Sequence, residues 1–323
     1  MMKHKRKYFC RFLAGGCAAF LLAGYALAGA QDWDPDAVIP QYTQMIAQNP
    51  SNAVAYQNRG AAYLRKGELE AALADLNRAI ELDQSYVDAY NNRGNVYQKM
   101  EKFDLAMQDY DRAIALDSAN AIALNNRGNL HSGIADYYHH RTTGKEALVQ
   151  REYRLAEEDL TRALSVDSSY KEAFLNRANL YSSFNEDSKA VQDYTQAIAL
   201  DPGDAKIYVS RGASYTKLDQ DAKALADYTK ALELKPDFGL AYNNRGMVYY
   251  GRSEYELAFN DFTKAKDCGY ITPVLLNNMG LVAYQLRRYD DAIDFFTMAL
   301  SIDPNYKAAL QNMQIAYAAK GGS

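Results

Sequence analysis

Cysteine is almost missing from this chain: Cys10, Cys17 and Cys268 are the only three among 323 residues. Two of them fall in the first thirty residues, so the rest keeps a single thiol. A single thiol closes no internal disulfide and offers no metal-ligand spacing. The fold must therefore be held by packing. Trp33 is the only tryptophan and there are 4 histidines, against 27 tyrosines and 11 phenylalanines, so aromatic packing falls to Tyr and Phe. The sequence has no Gly-rich phosphate loop, no His-Glu-x-x-His and no serine elbow, and Cys268 has no histidine near it in sequence. The expectation is a chain that is not an enzyme and takes no cofactor and no metal. Basic clusters are also missing. The net charge is −4, and five of the 36 Lys and Arg stand in the first eleven residues with no acid among them, so the remainder is more acidic still. Nucleic acid, which needs clustered positive charge, is excluded as a partner class.

Those first residues read as an address. Lys3, Lys5, Arg6, Lys7 and Arg11 form a basic stretch, Phe12 to Leu27 is apolar and uncharged, and Ala28-Gly29-Ala30 supplies small residues before Gln31. Residues 1–30 therefore have the layout of a secretory signal peptide. That layout implies export, with the periplasm as destination. Two alternatives stay open: an uncleaved anchor that would tie the chain to the inner membrane, and lipidation at Cys17.

Everything else repeats. Tyr56-Gln-Asn-Arg-Gly60, Tyr90-Asn-Asn-Arg-Gly94, Leu124-Asn-Asn-Arg-Gly128, Tyr208-Val-Ser-Arg-Gly212 and Tyr242-Asn-Asn-Arg-Gly246 are one motif, with Phe174-Leu-Asn-Arg-Ala178 and Leu276-Asn-Asn-Met-Gly280 as variants. Successive copies start 34 residues apart, except for one gap enlarged by 16. Each copy is followed by a second amphipathic run such as Ala106-Met-Gln-Asp-Tyr110-Asp-Arg-Ala113. No strand alternation appears, so the fold is all-α. One helix pair cannot bury its own apolar face, so such units stack into a solenoid with a continuous core.

The pattern resembles the tetratricopeptide repeat (TPR) family. An aromatic stands at position 4 (Tyr56), a small residue at 8 (Gly60), and Tyr63, Ala72, Leu76 and Ala79 stand at 11, 20, 24 and 27; Pro202, Pro236 and Pro304 close three repeats at position 32. The resemblance implies a right-handed superhelical solenoid of antiparallel helix pairs. Seven repeats fit, 53–86, 87–120, 121–170 with an insertion at about 134–149, 171–204, 205–238, 239–272 and 273–306. A capping helix lies within 31–52 and another within 307–323.

Two columns run through the repeats. At position 7, Arg59, Arg93, Arg127, Arg177, Arg211 and Arg245 are followed by Met279; at position 23, Asp75, Asp109, Asp159, Asp193, Asp227 and Asp261 are followed by Phe295. Arg goes with Asp and Met with Phe, so the two positions face each other. The reading is a half-buried structural ion pair joining the two helices of a repeat. The second column is amide. The resemblance places Asn58, Asn92, Asn126, Asn176, Asn244 and Asn278 (position 6), Asn91 and Asn125 (position 5) and Asn95, Asn129 and Asn179 (position 9) on the concave groove. There a column of amides could hold an extended peptide by its backbone, similar to the asparagine ladder of the O-linked N-acetylglucosamine transferases. The competing reading has each Asn bonding the neighbouring helix. Toward the C-terminus the groove turns apolar, with Leu240, Met247, Tyr250, Leu281 and Tyr284, which suits a partner's hydrophobic side chains. The chaperone-type carboxylate clamp, which the family builds with Lys at position 2, is absent: that column reads Val54, Asp88, Ile122, Glu172, Lys206, Leu240 and Val274.

The insertion, with Tyr137, Tyr138, His139 and His140, reads as an elongation of both helices into a finger. The functional expectation is an adaptor that binds a protein or extended peptide in its groove, in assembly or quality control of envelope proteins. The alternative is a scaffold that self-associates, as a homo-oligomer, through the groove or the C-terminal helix.

Overall fold

The structure is a computed structural model that describes residues 34–141 and 143–321; the expected signal segment, its two cysteines and Trp33 lie outside the described residues. Among the described residues there are sixteen helices and no strand. They group into two compact units. Residues 34–184 carry α1 (Pro35–Gln48), α2 (Ala53–Lys66), α3 (Leu69–Leu82), α4 (Val87–Lys99), α5 (Phe103–Leu116), α6 (Ala121–Arg141), α7 (Glu146–Val166) and α8 (Lys171–Ser183). Residues 185–321 carry α9 (Asp187–Leu200), α10 (Ala205–Lys217), α11 (Asp221–Leu234), α12 (Gly239–Gly251), α13 (Tyr255–Asp267), α14 (Pro273–Gln285), α15 (Tyr289–Ile302) and α16 (Lys307–Gly321). Within each unit every helix packs on the next, and the first (A) helices of successive repeats touch one another.

The close A–B approach is written in small residues. Alanine at positions 20 and 27 is completely buried throughout, from Ala72 and Ala79 to Ala292 and Ala299. Position 24 of the B helix, filled by Leu76, Tyr110, Leu160, Tyr228, Phe262 or Phe296, is equally buried and lies in the hollow left by glycine at position 8. A Cβ added to Gly94 would stand 2.6 Å from Tyr110 Cε1, and one on Gly280 2.5 Å from Phe296 Cε1. Side chains cannot share that space, so the glycine sets the interhelical distance.

Turns follow the same period. Between the A and B helices the residue at position 15 has positive φ: Gly67 in the first repeat, but Glu101, Asn185, Asp219, Ser253 and Arg287 at φ 58–63° elsewhere. Between the B helix and the next A helix, Asp83, Asp117, Asp167, Asp201 and Asp303 each accept a bond from the amide two residues on, closing an Asx turn. Thr272 caps α14, accepting from the Leu275 amide, and Pro273 takes its first position.

Candidate functional site

The amide column faces inward. Asn91, Asn92, Asn95, Asn125 and Asn176 in the first unit, and Asn243, Asn244, Asn277 and Asn278 in the second, are 1–8% exposed. Four of the position-6 amides reach back to the preceding A helix. Asn126 Nδ2 donates to Asn91 Oδ1 (3.0 Å) and Asn95 Oδ1 (3.1 Å), and Asn176 Nδ2 to Asn125 Oδ1 (2.9 Å). In the second unit Asn278 donates to Asn243 (3.4 Å) and Asn312 to Asn277 (2.8 Å). Tyrosine hydroxyls finish the network: Tyr110 lies 2.7 Å from Asn95 Oδ1, and Tyr86 lies 3.3 Å from Oε1 of Gln57, the amide at position 5 of the first repeat. This corrects the expectation of a free amide ladder. Both hydrogens of Asn126 Nδ2 and the Asn95 oxygen are already engaged, so these groups bind the neighbouring helix rather than a peptide. Asn58 and Asn129 are half-buried, and Asn179 alone of the column is exposed.

The arginine column lies on the A–B seam. Nε and Nη2 of Arg59, Arg93, Arg127, Arg211 and Arg245 each make a bidentate pair with Asp75, Asp109, Asp159, Asp227 and Asp261 at 2.7–3.0 Å. Arg177 belongs to the first unit and the buried Asp193 to the second. Nη1 supplies a contact that sequence reasoning missed. It reaches position 25 of the preceding B helix: Thr43, Asn77, Asp111, Thr161, Thr195 and Thr229, at 2.6–3.1 Å. A polar residue 16 before every Arg was the available signal. Aromatic rings at positions 4 and 11 flank the guanidinium, as Tyr90 and Tyr97 do for Arg93 at 5.5 and 5.8 Å. The Asp hydrogen bonds raise the pKa of these arginines, most for Arg127, which holds Asp111 as well.

In the second unit the A face also leaves apolar side chains partly open. Leu240, Met247 and Tyr250 on α12, and Leu281 and Tyr284 on α14, are half-buried, packed on the core that carries them. Tyr250 and Tyr284 repeat one arrangement, each with its ring beside a tyrosine five residues on, Tyr255 at 5.7 Å and Tyr289 at 5.6 Å. In the first unit α6 and α7 run to 21 residues each. At their base His131 Nδ1 stands 2.6 Å from Glu152 Oε2, both buried. Nearer the tip His139 stacks on Phe184 (4.7 Å), Arg141 covers Tyr137 (5.0 Å), and His140 is exposed. No group of three or more His, Cys, Asp or Glu among the described residues could hold a metal ion.

Sequence models of the tetratricopeptide repeat match residues 41–74, 63–101, 87–120, 141–205, 205–238 and 273–306. The chain belongs to the TPR family. Human serine/threonine-protein phosphatase 5 is 51% identical over 53 residues, which are 16% of this chain and 11% of the phosphatase. The chain thus spans about a tenth of that curated relative, and the likeness carries nothing of its activity. A TPR protein from Parabacteroides merdae superposes with a TM-score of 0.52 at 23% identity, over 77% of this chain and 92% of that one. In the Cut9–Hcn1 assembly of APC/C, a chain superposes with a TM-score of 0.60 at 16% identity, over 87% of this chain and 52% of its own. Both likenesses are of fold. No helix among the described residues is long and apolar enough to cross a membrane.

Proposed function

We propose that this TPR protein is a non-catalytic adaptor that holds a segment of a partner protein on the A-helix face of its second unit. One observation carries the reading: Leu240, Met247, Tyr250, Leu281 and Tyr284 stay partly open to solvent on α12 and α14, whereas the amides of the same face are closed on themselves. An apolar strip on a soluble face is where a partner gains most by burial, at about 25 cal/mol per Å². The signal-like layout of residues 1–30 supports export to the periplasm and a role with envelope proteins. The missing carboxylate clamp argues against a chaperone C-terminus as ligand.

The test is capture from an envelope extract with the parent protein and a Met247→Glu/Leu281→Glu variant, after both are shown to have equal helicity and melting temperature. Partners held by the parent and lost by the variant support the reading. Partners retained equally by both refute it.

A further inference from the structure

Two properties of the strip on α12 and α14 narrow what can lie on it. The first is charge. Helix α14 contains no charged residue, and the single one on α12 is Arg245, which is closed on Asp261. Earlier A helices differ: α4 carries Asp88 and Lys99, α8 Lys171 and Glu172, and α10 Lys206 and Lys217. A charged segment would give up hydration on the strip and find no counter-charge, so the complementary occupant is uncharged. The second property is the state of the amides. Asn243 donates to Asn244 (3.1 Å) and accepts from Asn278, and Asn277 accepts from Asn312. An extended peptide laid there would take its N–H groups out of water against amides already bonded to one another. Proline brings no N–H. A polyproline II helix has no internal hydrogen bonds to protect, and its carbonyls stay solvated on the open side.

The relief of the strip has a period of its own. Tyr250 with Tyr255, and Tyr284 with Tyr289, make two notches of one shape, with ring centroids 5.7 and 5.6 Å apart and 57° between the ring planes in both. All four rings are half-buried, and the Tyr250 hydroxyl bonds Gln285 of the next repeat, which fixes the first notch. Tyrosine stands at both position 12 and position 17 only in these two repeats: position 17 is otherwise Leu69, Phe103, Tyr153, Asp187 and Asp221, and position 12 has no earlier tyrosine. The notches sit on A helices that touch, and packed helices lie about 8–10 Å apart. A polyproline II helix turns the same face round every three residues, roughly 9 Å along its axis. We infer that the segment held on this strip is an uncharged, proline-rich stretch in the polyproline II conformation, with one prolyl ring in the Tyr250–Tyr255 notch and another, three residues away, in the Tyr284–Tyr289 notch. The inference rests on the reading of the strip as the partner surface. An amphipathic helix also keeps its backbone bonds internal, but it presents a continuous apolar stripe, whereas two separate aromatic notches suit rings that recur every third residue.

The probe is decaproline, capped at both ends, which supplies a ring at every third position in any register. A Gly-Ser peptide of equal length and an uncharged amphipathic helix of Leu, Ala and Gln serve as comparisons. Binding is titrated by saturation-transfer NMR against the protein, purified as the cell processes it, and against Tyr250→Gln/Tyr284→Gln. Repeat two already carries Gln98 at that position, and the variant's helicity and melting temperature are measured first. Should that pair not fold, Tyr250→Leu/Tyr284→Leu, which follows Leu64 of repeat one, is measured in its place. Decaproline should bind the parent saturably, the double variant should weaken it by about tenfold or more, and the Gly-Ser peptide should not bind. Decaproline that does not saturate the parent overturns the inference. So does decaproline that binds parent and variant equally, or a helical peptide that binds in its stead and is lost in the variant. In the last case the strip is still the partner surface. It is so too where decaproline fails while Met247→Glu/Leu281→Glu still loses captured partners, so the two readings fail separately.

Discussion

Replacing Arg93 alone should destabilise the protein, and replacing it together with Asp109 should largely restore it. Asp109 is almost fully buried, with its side chain 6% exposed against 19% for Arg93, and both of its oxygens accept from the guanidinium at 2.7–2.8 Å. Arg93→Met takes away both donors and leaves a buried carboxylate without its counter-charge, a change that costs about 3–5 kcal/mol. The lost bond from Nη1 to Asn77 adds to that figure, and water entering through the 19% opening subtracts from it, so about 3 kcal/mol is the working value. For a unit of this size that is a fall of roughly 6–12 °C in melting temperature. Arg93→Met/Asp109→Phe instead installs the pair that repeat seven already uses, Met279 and Phe295. Exchanging an ion pair for apolar residues of matching shape is often neutral or stabilising, so the double variant should return to within about 1 kcal/mol of the parent. Urea unfolding followed by circular dichroism, run as a double-mutant cycle, gives the coupling directly. A single variant losing under about 1 kcal/mol would mean that the carboxylate is effectively solvated. A double variant no better than the single would refute the claim that the two pairs are interchangeable solutions to one packing problem.

Other parts of the structure carry predictions of their own. Asn125→Leu removes the acceptor of Asn176 in a closed amide network and should destabilise by about 1–3 kcal/mol, measurable by the same unfolding curves. Arg287→Gly and Glu101→Gly relieve a left-handed backbone and should each raise stability by up to about 1 kcal/mol, whereas Asn185→Gly should change little because Asn tolerates that region. Burial pushes the Tyr170, Tyr194, Tyr250 and Tyr306 hydroxyls above their ordinary value of 10.0. The folded state then holds protons that the unfolded chain releases, so the tyrosines' contribution to stability is flat below pH 10 and falls by up to about 1.4 kcal/mol per pH unit per tyrosine from pH 10 up to the raised folded-state pKa. Tyrosinate absorbance should accordingly lag in the native protein and catch up on unfolding.

Much of the architecture could be read before any coordinates, because a period is a statement about space. Thirty-four residues that return Gly at 8 and Ala at 20 and 27 leave few alternatives to a close helix pair. The joint change of Arg to Met and Asp to Phe places two side chains opposite each other without an alignment. The third partner of each arginine was missed although the spacing of 16 was there to be seen. Thr, Asn and Asp at position 25 are ordinary solvent-facing residues by type, and only the offset between consecutive B helices brings them to Nη1. The closed part of the amide column was missed for the same reason. Asn at positions 5 and 6 lies on the face that points at the neighbouring repeat, and whether an amide there is open or closed depends on the residue one period away. Asn126 closes on Asn91 and Asn95, whereas repeat five has Val209 and Ser210 at positions 5 and 6 and cannot make that link.

In this chain the surface proposed for a partner lies where the period is broken. Residues that recur through most units are those the units need in order to stack, and here they are committed: Arg to Asp, Asn to Asn, Gly to the Leu, Tyr or Phe at 24. A side chain already closed on its neighbour cannot also hold a ligand without loosening the seam it maintains. The departures are therefore the informative positions. Position 12 is Leu64, Gln98, Ser132, Ser182 and Thr216 in the first five repeats and tyrosine only in the last two, at Tyr250 and Tyr284. Position 9 changes from Ala61, Asn95, Asn129, Asn179 and Ala213 to Met247 and Leu281 over the same interval. Stacking asks for neither change, since earlier repeats pack without them. Their coincidence on α12 and α14 is what supports the proposal that this strip, rather than the more regular amide column, selects a partner.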